Sequence, residues 1–77
     1  MDKRELAECF RARLKEIIDS QDDSVAALLR KSGIDRSALS HFLSADKVRL
    51  PRVEALRRLA VASGVSTDWL LAIENAP

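Results

Sequence analysis

A chain of 77 residues with 47% apolar and 32% charged side chains supports one modest core, because so short a chain buries only about 60% of its unfolded surface. The formal net charge is +1, with a single cysteine and a single histidine, which excludes an internal disulfide and leaves too few ligands for a structural metal site. No apolar run approaches the ~20 residues of a membrane span, and the opening MDKRELAE lacks the apolar stretch of a signal peptide, so a soluble, cytoplasmic protein is expected.

Only two glycines and two prolines punctuate the chain. β-Branched residues never alternate over a strand-length run. The expected fold class is all-α: five short helices in a single domain spanning 1–77, at about 2–20, 24–32, 35–43, 51–63 and 66–74.

In the first helix Leu6, Phe10, Leu14 and Ile18 recur every fourth residue, and Ala7 and Ile17 widen the stripe. That periodicity marks a core-facing side. Cys9 lies in this helix beside Phe10 and reads as a small core or boundary residue kept reduced. The polar run 20–24 ends in Ser24, a good N-cap, with Asp22 and Asp23 where the helix dipole favours acids. The second helix runs to Ser32 and stops at Gly33, which is able to take a positive φ. Ile34 then turns inward and Asp35 caps a third helix, whose Leu39, Phe42 and Leu43 face the core. Its Arg36, Ser37, Ser40 and His41 lie on other faces, one, three and four residues apart, so a single groove can meet them together. Residues 44–50 form a loop carrying Lys47 and Arg49. Pro51 suits the first position of a fourth helix, with Val53, Leu56, Leu59 and Ala60 inward and Gly64 ending it. Ser66 caps the fifth helix, and Trp69, Leu70 and Ile73 supply its apolar face.

Charge is unevenly spread. Residues 1–29 carry five basic and seven acidic side chains, 30–58 carry eight and three, and 59–77 carry none and two. Positive charge therefore collects on the turn, the third helix and the segment after it, as expected for contact with phosphates.

The stretch SVAALLRKSGIDRSALSHFL, residues 24–43, reads as two short helices joined by a tight turn. A second helix with a polar, basic outer face is the usual device for carrying side chains into the DNA major groove.

With its neighbours this stretch resembles the phage-repressor-like helix-turn-helix family (Cro/repressor, XRE-type). Leu28, Gly33, Ile34, Ser37, Leu39 and Ser40 fit the family's bihelical motif. Pro51, Leu56, Leu59 and Ala60 fit its fourth helix, and Gly64-Val65-Ser66 with Asp68-Trp69-Leu70-Leu71 fit its closing segment. The register holds without a gap over residues 24–71. Departures are Val25 where a phosphate-binding glutamine is frequent, Leu29 where alanine is preferred, and Leu43-Ser44-Ala45 after the third helix. The resemblance implies a lambda-repressor-like domain that binds double-stranded DNA sequence-specifically, as a homodimer on an inverted repeat, acting as a transcriptional repressor of bacterial or phage type. It assigns base reading to Arg36, Ser37, Ser40 and His41, and phosphate contact to Lys47, Arg49 and Arg52. Trp69, Leu71 and Ile73 are the candidates for a dimer seam.

The alternative is a protein-interaction or antitoxin-like adaptor on the same fold, with weak or no DNA binding; Asp22, Asp23 and the near-neutral net charge favour it. An enzyme is not expected, since no paired carboxylates, nucleophile–base set or phosphate-cradling glycine loop can be assembled. No cofactor and no metal are expected.

Overall fold

Five α-helices succeed one another along the chain: α1 (Lys3–Ser20), α2 (Val25–Ser32), α3 (Arg36–Leu43), α4 (Val53–Ser63) and α5 (Thr67–Leu70). The computed structural model describes residues 1–20, 25–44 and 50–75, and no strand occurs among them. The fold is all-α, as the sequence pattern indicates. The expected N-cap at Ser24, with Asp22 and Asp23, falls outside the described residues.

The start of α1 is fixed by Asp2, whose Oδ1 accepts the Glu5 N–H at 2.8 Å, satisfying one of the helix's orphan donors. Its deepest residues are Ala7, Phe10, Leu14 and Ile17. With 3.6 residues per turn, a strict four-residue repeat drifts about 40° per step. Phe10 and Leu14 therefore stay central, while Leu6 and Ile18 slide to the half-buried edges of the stripe.

The core joins Phe10, Leu14 and Ile17 of α1 to Leu28 of α2, Leu39 and Phe42 of α3, Leu59 and Ala60 of α4, and Trp69 and Leu70 of α5. Helix α1 packs on α3 and α5, and α4 packs on α2 and α5. Half-buried Leu29, Ile34, Leu43 and Leu56 pack against this cluster, and Cys9 is also half-buried.

Val53 departs from expectation: it is 83% exposed rather than inward. A three-residue repeat drifts about 60° per step in the other direction. Counting back from Leu59 through Leu56 thus carries Val53 off the buried side, and it is also the first residue of α4. Pro51 likewise lies before the helix, since Arg52 holds the N-cap position with φ −73 and ψ 163.

The other large departure is α5, which ends at Leu70 rather than near residue 74. Its start is as expected: Ser66 Oγ accepts the Trp69 N–H at 3.0 Å. Its end is an abrupt reversal. Ile73 N–H donates to Asp68 O at 2.8 Å and Ala72 N–H to Trp69 O at 3.0 Å. That is the Schellman pairing, which requires a left-handed residue. Ala72 takes that role with φ +62. Glycine is the usual occupant, as at Gly64, which closes α4 with φ +73.

Arg13 of α1 holds this reversal in place. Its Nη1 donates to the carbonyl oxygens of Trp69 and of Glu74, the latter at 2.6 Å. Its guanidinium lies 5.0 Å from the centre of the Trp69 ring, within reach of a cation–π attraction.

These backbone conformations set opposite expectations for two substitutions. Ala72→Gly should stabilise the fold by about 1 kcal/mol, because a Cβ is disfavoured in the left-handed region. Gly33→Ala, at φ +70, should destabilise it by a similar amount. Thermal denaturation should show melting temperatures moved in opposite directions by roughly 4–8 °C; equal melting temperatures for the two variants would contradict the assignment.

Candidate nucleic-acid interface

The candidate surface is built on the turn between α2 and α3. Gly33 N–H donates to Leu29 O at 2.9 Å, ending α2. A Cβ at Gly33 would meet only the Arg58 Nη1 at 3.9 Å, so it is the positive φ rather than lack of space that calls for glycine. Ser32 adds a second fastening. Its buried hydroxyl donates to Leu29 O at 3.4 Å and accepts the Ile34 N–H at 3.3 Å. The turn's polar groups are thereby paired locally, as burial requires. Asp35 occupies the N-cap position of α3 with extended backbone, but its side chain makes no capping hydrogen bond.

Helix α3 has two distinct sides. Leu39 and Phe42 are buried, Ala38 and Leu43 are half-buried, and Arg36, Ser37, Ser40 and His41 are exposed. At about 100° per residue the exposed four span an arc of roughly 140°, with the two half-buried residues at its borders. The underside is fixed by Phe42, whose ring meets that of Phe10 edge-on, with centroids 6.0 Å apart and planes at 81°. All four residues expected to read bases thus share one accessible surface.

Of the residues expected to touch phosphates, Lys47 and Arg49 fall outside the described residues. Arg52 is exposed at the start of α4. It borders the same half-open cavity as Asp35, so it sits next to the start of α3.

The residues expected at a dimer seam separate. Trp69 is 5% exposed and belongs to the core, so its ring is committed to packing within the chain under Arg13. Leu71 is half-buried and Ile73 is 69% exposed. Only Ile73 presents most of its apolar surface.

Sequence reading passes over Ser32 and Arg13. Ser32 is indistinguishable from an ordinary helix-end serine without the turn around it. Arg13 finds its partners 56 and 61 positions away, beyond any local pattern.

Among the described residues no group of three or more His, Cys, Asp or Glu side chains is placed to hold a metal ion, and no helix is long and apolar enough to cross a membrane. Comparison with known proteins finds no matching family model, no matching curated protein and no matching solved structure.

The two sides of α3 should respond differently to truncation. Arg36→Ala and Ser40→Ala should leave stability within about 0.5 kcal/mol of the parent, as for other exposed positions. Leu39→Ala should cost roughly 2–5 kcal/mol. Chemical denaturation measures both, and a large loss from Arg36→Ala would show that the outer side is part of the packing.

Proposed function

We propose that this protein is a sequence-specific double-stranded DNA-binding transcriptional regulator of the phage-repressor-like type. In this reading α3 is the recognition helix, and the chain acts as a homodimer on an inverted repeat. The observation that carries it is the exposed arc of Arg36, Ser37, Ser40 and His41 above a buried underside. An eight-residue helix is about 12 Å long, close to the ~12 Å width of the major groove.

Arg36 supports the same reading from energetics. It is the first residue of α3, whose first turn holds no acid. A cation there opposes the helix dipole and costs about 0.3–1 kcal/mol. Fold stability gives no reason for it, whereas a guanidinium at the leading end of a groove-entering helix can bond a guanine edge bidentately. Ser37, Ser40 and His41 are more permissive readers. Arg52, with Lys47 and Arg49, would contact phosphates and set register rather than sequence. Symmetry would hold two recognition helices about 34 Å apart, a spacing commensurate with the 31 Å longest extent of one chain.

A protein-interaction adaptor on the same fold is the second reading, favoured by the exposed apolar side chains of Val53, Val61 and Ile73.

Selection of bound sequences from a random duplex pool separates the two. The DNA reading expects enrichment of an inverted repeat. It also expects an affinity that falls about a thousandfold between ~50 and ~200 mM salt for a dimer making some six phosphate contacts. Arg36→Ala should weaken binding to the selected site by about 1–3 kcal/mol and relax preference at one base pair per half-site. No enrichment at low salt, with a tight protein partner recovered instead, would replace this reading with the adaptor.

A further inference from the structure

We propose that the cavity between the α2–α3 turn, α3 and the start of α4 is a binding site for a small carboxylate with an apolar tail. The cavity encloses about 390 Å³, at the small end of the 300–1,000 Å³ typical of small-molecule sites. Ile34, Ala38, Phe42, Leu50 and Ala55 line it with apolar surface, and each is at least partly buried. Two half-buried alanines leave room where larger side chains would have closed the space.

Four charged residues also line it: Asp35, Arg52, Glu54 and Arg58. Arg58 Nη2 and Glu54 Oε1 pair at 2.6 Å, so these two largely cancel. Among the described residues, no hydrogen bond or ion pair engages the Arg52 guanidinium or the Asp35 carboxylate. These two are not equivalent. Asp35 holds the N-cap position of α3, where the positive end of the helix dipole offsets its charge. Arg52 holds the same position on α4, where the dipole adds to its charge. Arginine is not a residue that caps helices. The surplus at the mouth is therefore positive, and a ligand carboxylate would receive a charge-assisted, bidentate partner in Arg52. Its tail would cover the alanine and phenylalanine surface beneath, which is otherwise left wetted.

The test uses octanoate as the probe, with octylamine and octanol as controls of the same tail, and tracks backbone amide shifts of the DNA-free protein. Working without DNA keeps failure of this inference separate from failure of the DNA reading. Octanoate should give saturable shifts at Ala38, Phe42 and Ala55 with a dissociation constant near or below ~1 mM. Octylamine and octanol should bind at least about tenfold more weakly, the worth of one charge-assisted bond. Arg52→Gln, at an exposed position, should weaken octanoate by a similar factor. Ala55→Leu, which fills the cavity, should abolish the shifts while the spectrum remains that of a folded protein. Absence of saturable shifts at ~10 mM octanoate, equal binding of octylamine, or unchanged affinity in Arg52→Gln would each overturn the proposal.

Discussion

The edge-on contact between Phe10 and Phe42, with centroids 6.0 Å apart, fixes what the rest of the molecule can do. Helix α3 is only eight residues long. A helix that short is marginal by itself in water, so its existence and orientation come from what its underside touches. Phe42 and Leu39 lock that underside to the long first helix. With two positions buried and two more half-covered, rotation of α3 about its axis is removed, and the direction of its four exposed side chains is set. A display surface for nucleic acid needs this property: preorganised side chains lose little freedom on binding.

Around that contact the fold breaks local rules in particular places. Both short connections that border α3 end in helix starts without a side-chain cap, at Asp35 and Arg52. Arginine stands at or next to both starts, where the dipole disfavours a cation. Elsewhere the local rules are kept: Asp2 and Ser66 cap α1 and α5 through hydrogen bonds to backbone N–H groups, and Gly33 and Gly64 sit at positive φ. Natural sequences that conflict with local preference tend to do so where they act on something else. Here the conflicts gather on the same side of the molecule as the exposed arc of α3.

Much of this is legible in the sequence because it is governed by short-range periodicity. The stripe through Phe10 and Leu14, the stop at Gly33, the inward Leu39 and Phe42 and the cap at Ser66 each come from spacings of four residues or fewer. The features that escape such reading depend on longer reach. The end of α5 is set by a left-handed alanine, Ala72, which no residue preference signals, and by Arg13, whose partners lie at the far end of the chain. Val53 reads as inward because three-residue counting neglects helical drift over two steps. The apolar cavity beside Arg52 arises from two alanines, Ala38 and Ala55, on different helices, and small residues announce no vacancy until their neighbours are placed.

The central claim is that the outer arc of α3 is the surface that meets the base edges. Amide and side-chain shift mapping of the protein with a duplex it retains tests this most directly. Perturbations should be largest at Arg36, Ser37, Ser40 and His41, with the Phe10 and Phe42 resonances showing the packing unchanged. A footprint centred on the exposed valines of α4 or on α1, with α3 silent, would contradict the account.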